Sequence, residues 1–405
     1  MARPSRRQAL ATGAAAFGLA TWPRSPVRAQ SAPRVVVVGG GFGGATAARY
    51  LAHASPRIDV TLVEANTRFT ACPFSNLVIS GMREIGAQLF AYDRLREVGV
   101  RLVFNTVTQI DAAKRRVTLA DGAALEFDRL VLAPGVDMRW GALPGYDEAA
   151  SKIMPHAWKA GAQTVLLRRQ LEAMDDGSTV IMAVPDNPYR CPPGPYERAS
   201  LIAHYLKTHK PRSKLIVLDA KDAFSKQRLF TQAWKALYPL HLEWVGLSVG
   251  GRVTRVEAAS KTLITDFGQH KASVANVIPP QQASDIAIKA GVADATGWCP
   301  IDPVSFESRR IAGIHIIGDA ALAGAMPKSA FSANAQAKVA AAAIADILAG
   351  RSPRKPKLIN TCYSLVAPDY GISVAGVYEP SGGVLREVKG SGGSSPVEAP
   401  QQIRS

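Results

Sequence analysis

Apolar residues follow two rhythms along this chain. Short β-branched runs, such as Val35-Val36-Val37-Val38, Ile58 to Val63, Val180 to Val184 and Leu215 to Leu218, read as strands buried on both faces. Longer stretches between them carry apolar residues at helical spacing: Ala45 to Ala52, Glu197 to Leu206 and the alanine-rich Ala333 to Leu348. Strands alternating with helices predict a doubly wound α/β fold with parallel sheets. The rhythm changes again near the end. Arg351 to Lys357 is a basic, proline-broken linker, and Asn360 to Tyr378 alternates like strands. The stretch from Ser381 to Ser405 is rich in Gly and Ser and is expected to be partly flexible.

The first strand runs straight into Gly39-Gly40-Gly41-Phe42-Gly43-Gly44. Gly39, Gly41 and Gly44 make a GxGxxG in which a tight turn, close approach to a pyrophosphate and close helix–strand packing each need a missing side chain. Glu64, twenty residues after Gly44, ends the second strand, where an acid suits a ribose hydroxyl pair. Two later segments turn a dinucleotide site into an FAD site. Leu130-Val131-Leu132-Ala133-Pro134-Gly135 resembles the strand and turn that return the chain to the cofactor domain in two-domain flavoproteins. Gly313 to Ala320 resembles the second FAD motif, with Asp319 as acceptor for the ribityl chain. Asp319 read alone also suits a helix N-cap.

The second α/β half departs from the usual pattern. After Val180 to Val184, a pyridine-nucleotide domain needs another glycine loop. Instead the chain reads Pro185-Asp186-Asn187-Pro188-Tyr189-Arg190-Cys191-Pro192-Pro193-Gly194-Pro195. This loop has one glycine and no phosphate cradle, so NAD(P)H is disfavoured. The four cysteines, Cys72, Cys191, Cys299 and Cys362, stand singly, with no CxxC and no CxxCH. Zinc ribbons, thioredoxin motifs and a haem of the chain's own are thereby excluded, and no metal site is expected. Isolated thiols on a flavin-type fold point to sulfur redox chemistry.

Residues 1–29 are set apart. Ser5-Arg6-Arg7-Gln8-Ala9-Leu10 is a twin-arginine pattern, a weakly apolar stretch follows, and Val27-Arg28-Ala29 resembles a cleavage site. A periplasmic protein, exported already folded around its cofactor, is expected. The chain carries 48 Lys and Arg against 32 Asp and Glu, a formal net charge of +16. No basic run interleaved with aromatics appears, so nucleic acid is not the partner. The basic surface suits an acidic protein partner. No stretch after the leader reaches the roughly 20 apolar residues of a transmembrane helix.

Taken in order, six segments carry a family resemblance: Val38 to Gly44, Thr70 to Asn76, Tyr189 to Arg198, Asn276 to Gln281, Gly297 to Asp302 and Pro327 to Asn334. The chain resembles the flavoprotein subunit of flavocytochrome c sulfide dehydrogenase, a relative of the sulfide:quinone reductases. The resemblance implies two Rossmann-like doubly wound domains and a smaller C-terminal α+β domain. The expected divisions are an FAD-binding part at 30–145, a second Rossmann-like domain at 146–270, an FAD-domain return at 271–350 and a C-terminal domain at 351–405. It implies that Cys72 links covalently to FAD and that Cys191 and Cys362 form a redox-active disulfide. It makes Glu197 a candidate proton acceptor and implies a c-type cytochrome subunit as partner.

Other readings of these residues stay open. The Cys191–Cys362 bond also suits a purely structural crosslink, and Glu197 a favourable helix-start charge. Lys328 suits either a charge that balances reduced flavin or a surface position. Cys299 is expected to be an inert core thiol. The alternative functions are a sulfide:quinone reductase, or an electron-transfer subunit of the thiosulfate-oxidising system.

Overall fold

A computed structural model describes residues 32–396, except 55 and 56, together with the backbone of 401–402. The expected leader at 1–29 lies outside the described residues. The first sheet runs Ile314–Ile316, Arg129–Leu132, Arg34–Val38, Asp59–Glu64, Arg101–Phe104, all parallel. Helices Phe42–Ala52 and Ala330–Leu348 pack on it and on each other. This burial explains the unbroken apolar runs: Val35 to Val38 and Leu130 to Leu132 are all buried.

The second sheet runs Leu242–Val245, Lys214–Asp219, Thr179–Val184, Val274–Val277, again all parallel. The last of these strands corrects the division expected after 270. Its four residues are fully buried beside Val180 to Ala183, and an antiparallel meander, residues 253–271, is inserted before it. The return crosses only with Gln281–Ala283, which pairs with Val136–Met138. The helix expected from Glu197 begins earlier, at Gly194, and ends at His209.

Beyond Leu348 the described residues form strands alone, where an α+β unit was expected. Leu358–Ala367 and Tyr370–Ser381 make a long antiparallel hairpin. Helices Gly194–His209 and Ala330–Leu348, contributed by the two α/β halves, pack on it, joined by Gln227–Leu237. One face of the first strand turns inward: Leu358, Asn360, Ser364 and Val366 are all buried, and Cys362 lies in the same row. The glycine-rich tail is more regular than its composition suggests. Val384–Glu387 and Gly393–Ser394 both pair with Tyr370–Ser381.

Two histidines are folded into this core in neutral form. His156 Nδ1 accepts the Trp158 N–H at 2.8 Å, and burial pulls its pKa down to about 3. His315 is fully buried against the Ser305 carbonyl, and burial lowers its pKa to about 4. Both folded values lie below the unfolded one. Their contribution is therefore present above about pH 6.5 and is lost as pH falls through the folded values. Buried carboxyls with raised pKa, such as Glu197 and Asp319, act with the opposite sign. Comparison with a variant isolates one term. Between pH 7 and 5, His156 should account for about 2 kcal/mol of lost stability. Chemical unfolding of His156→Gln should show a pH dependence shallower by that amount. An equal slope in both proteins would contradict the neutral assignment.

Candidate active site

The glycine turn is built around contacts that leave no room for a Cβ. Gly39 has φ +94°, and a Cβ there would lie 2.4 Å from the Ala133 carbonyl oxygen. At Gly44 it would lie 1.7 Å from the Gly39 carbonyl oxygen, so the helix seats directly on the strand. At Gly41 an added Cβ would meet only the Phe69 ring, at 3.6 Å. The fold itself does not require that glycine, and its bareness keeps open the start of Phe42–Ala52, which no side chain caps. A cleft of about 240 Å³ lies alongside, lined by Gly40, Gly41, Phe42, Phe69 and Tyr92 among others.

Glu64 ends the second strand, as its spacing suggested. Its carboxylate accepts the Gly40 N–H at 2.7 Å and the Asn66 N–H at 3.0 Å, closing the loop onto the second strand. Any ribose contact must use its remaining lone pairs. At the other motif, Asp319 Oδ1 is buried with no hydrogen-bond partner. Burial raises its pKa, while Arg190 and Lys328 oppose the shift. A buried acceptor without a donor is costly unless a ligand hydroxyl supplies one. This acceptor and the uncapped glycine turn together fit FAD.

Three thiols converge beside that acceptor. Cys191 sits in a left-handed conformation, φ +59°, a strained one for a residue with a side chain. Its N–H donates to the Lys328 carbonyl at 2.7 Å, and its own carbonyl accepts the Gly194 N–H at 2.8 Å. A Cβ at Gly194 would stand 3.0 Å from Cys191 Sγ, so the single glycine of this loop makes room for the thiol. Burial pushes the Cys191 thiol up to about 12; Cys362, Glu197 and Cys72 raise it further, and Arg190 opposes them. Arg190 lies near the Cys72 thiol and Asp319, linking the expected flavin residues to the Cys191 loop. All four cysteines are free thiols, so the disulfide expected between Cys191 and Cys362 is not formed here. Each approaches on its own element, a loop and a strand, with no covalent constraint between them.

Glu197 ties these pieces together. It accepts from Asn76 Nδ2 at 2.7 Å and from the Leu365 N–H at 2.8 Å. It thus joins the Cys191 helix to the turn after Cys72 and to the Cys362 strand. Burial raises its pKa, partly offset by these two bonds and by Lys226 and Arg198. Lys226 donates to the Cys362 carbonyl at 3.1 Å and to Ser364 Oγ at 2.7 Å. Lys328 is turned inward, so the surface reading fails. Its ammonium donates to the Asp319 and Ala321 carbonyls at 2.8 Å each and lies 3.8 Å from the Trp298 ring centroid. Cys299 is fully buried, in a strand paired with Ala321–Leu322.

The second half holds its own buried network behind the Cys191 loop. Asp219 ends the strand after the Cys191 helix, where an acid would hold a ribose. It is fully buried and accepts from Tyr196 Oη at 2.7 Å, Trp244 Nε1 at 3.0 Å and Lys221 Nζ at 2.7 Å. Tyr196 stacks on Phe224 with ring centroids 3.6 Å apart. Lys221 also holds the Pro185 carbonyl, at the start of the Cys191 loop.

Several of these residues passed without a role in the sequence. Asn76, Arg190 and Arg198 stood only inside matching strings, and Lys226 and Asn360 carried no local signal. Lys226, at the start of Gln227–Leu237, meets the Cys362 carbonyl across 136 positions of chain.

Comparison with known proteins gives three family matches. Residues 164–279 match "Sulfide dehydrogenase [flavocytochrome c] flavoprotein chain, central". Residues 354–405 match "Flavocytochrome c sulphide dehydrogenase, flavin-binding" and residues 33–168 "Pyridine nucleotide-disulphide oxidoreductase". The sulfide dehydrogenase [flavocytochrome c] flavoprotein chain of Chlorobaculum thiosulfatiphilum is 67% identical over 45 residues, 11% of this chain and 94% of that sequence. The mitochondrial sulfide:quinone oxidoreductase of Mus musculus is 22% identical over 302 residues, 70% of this chain. The chain spans 65% of that relative's length. Among solved structures, the sulfide:quinone oxidoreductase of Aquifex aeolicus superposes with a TM-score of 0.74 at 17% identity, covering 90% of this chain and 87% of the other. That likeness is one of fold.

Proposed function

Since the chain belongs to the family of flavocytochrome c sulfide dehydrogenase flavoprotein chains, we propose that it oxidises hydrosulfide to zero-valent sulfur and delivers the electrons to a c-type cytochrome subunit. The observation that carries this reading is the convergence of Cys72, Cys191 and Cys362 with Glu197 and Arg190, beside the unpartnered Asp319. The working couple is a disulfide between Cys191 and Cys362. Hydrosulfide attacks one of its sulfurs; the S–S bond breaks, one cysteine becomes a persulfide and the other leaves as a thiolate. Glu197, which burial makes a stronger base than an ordinary carboxylate, takes up and returns the protons of this exchange.

Gly39, Gly41, Gly44, Glu64 and Asp319 would hold FAD, Cys72 would bind it covalently, and Lys328 would fix the backbone that presents Asp319. Bound there, FAD supplies the chemistry of accepting electrons in pairs and releasing them singly. The twin-arginine leader would deliver the folded chain to the periplasm. Among the described residues no helix is long and apolar enough to cross a membrane, and the cytochrome reading is preferred to the quinone one on the family match.

Anaerobic stopped-flow mixing tests the proposal. Hydrosulfide should bleach the flavin, and NADH should do so roughly a thousandfold more slowly. Unfolded protein should retain one flavin mass. Equal bleaching by NADH would restore a pyridine-nucleotide reductase. Turnover with a quinone but not with cytochrome c would make it a sulfide:quinone reductase.

A further inference from the structure

Asn360 precedes Cys362 by two residues and shares its face of the strand. Its side chain is buried, with 2% exposed. Asn360 Oδ1 accepts from the hydroxyls of Ser329, at 2.6 Å, and Ser332, at 3.0 Å. Ser329 Oγ is itself the N-cap acceptor for the Ser332 N–H at 3.0 Å, which leaves its proton for Asn360. With that hydroxyl left to donate, the network assigns the amide oxygen to the two serines. The NH₂ group therefore faces Cys362 Sγ, at 3.4 Å. The other ionisable groups around this sulfur are Cys191, Lys226 and Tyr378. Among the described residues, Asn360 is the side chain that hydrogen-bonds it.

We propose that Asn360 is a catalytic residue whose N–H···S bond holds negative charge on the Cys362 sulfur when the Cys191–Cys362 bond is open. The proposal rests on the reading that these two cysteines are the working couple. A disulfide sulfur is a weak acceptor and a thiolate a strong one, so the bond strengthens on reduction. It thereby displaces the couple toward the dithiol and raises its potential, as stabilising the reduced form does in other dithiol couples. Ser329 and Ser332 act through Asn360 by fixing its orientation. The helix start that seats the alanine-rich helix thus also aims the donor at the sulfur.

The test uses the full flavin-loaded chain equilibrated in glutathione buffers. There, two glutathione thiols give two electrons and two protons to the protein disulfide, forming glutathione disulfide. Acid quenching, alkylation and mass spectrometry count the Cys191 and Cys362 thiols. Asn360→Ala removes the donor. Asn360→Asp keeps the oxygen that both serines bind and puts a carboxylate oxygen where the NH₂ group stood, which guards against loss of the fold. In both variants the constant for reduction should fall at least tenfold, about 30 mV for this two-electron couple. A constant within twofold of the unmodified protein in Asn360→Asp overturns the proposal, whatever the alanine variant does. If the unmodified protein forms no Cys191–Cys362 bond at any buffer ratio, the working-couple reading fails instead.

Discussion

Serine at Cys191 or at Cys362 should lower hydrosulfide-driven flavin reduction by roughly a thousandfold or more, while dithionite still bleaches the flavin fully. A hydroxyl cannot form the S–S bond that hydrosulfide must cleave, so either substitution removes the whole couple. The double variant should be no worse than either single one, because residues that act as a unit give non-additive losses. The two positions differ in their surroundings. Cys191 is held in a left-handed turn by the Lys328 carbonyl, and Cys362 lies in a regular strand opposite Val374. Both nevertheless serve the same bond. Cys299→Ser is the internal control: its thiol is fully buried in the first core, and it should keep most of the activity. Stopped-flow absorbance of the three variants decides the matter. Activity lost only in Cys299→Ser would mean that the pair is wrongly assigned.

Arg198→Ala should cost about 4 kcal/mol of stability, several buried acceptors each losing their donor. The guanidinium is 2% exposed and donates to Asn76 Oδ1, Asn276 Oδ1 and the carbonyls of His156 and Ala157, at 2.6–3.1 Å. It also lies over the Trp158 ring, 4.8 Å from the centroid. One side chain thus joins the turn after Cys72, the last strand of the second sheet and the helix that follows Cys191. Arg198→Lys should recover little, since one ammonium cannot span the planar fork of bonds. Guanidinium chloride unfolding measures the loss. A cost below about 1 kcal/mol would mean that water replaces the missing donor.

Local pattern carried the scaffold, because parallel strands buried on both faces and a turn without room for Cβ atoms leave marks on neighbouring residues. Val35 to Val38 and Gly39 to Gly44 could be placed without knowing anything else. The thiol site was legible as a set of residues but not as a geometry. Glu197 stood as a candidate proton acceptor or a helix-start charge, and only the folded chain shows that it spans three elements. Lys328 stood beside the FAD motif in sequence, yet its ammonium points to carbonyls. Lys226, Asn360 and Arg198 act through contacts between distant segments, and no periodicity or spacing announces them. The division at 270 misplaced the strand Val274–Val277 because an inserted meander separates it from its sheet.

Asp219 turns an absence into an obstacle. The acid that would greet a nucleotide is spent on a tyrosine, a tryptophan and the lysine that holds the start of the Cys191 loop. Under the proposed reaction, the redox centre resembles a conductor with one terminal insulated. A dissolved nicotinamide would then find no free acid to hold its ribose and would feed the centre poorly. Current drawn by the electron acceptor is then metered by the sulfur species that reaches the thiols, and the same carboxylate that blocks the leak keeps the live terminal in place.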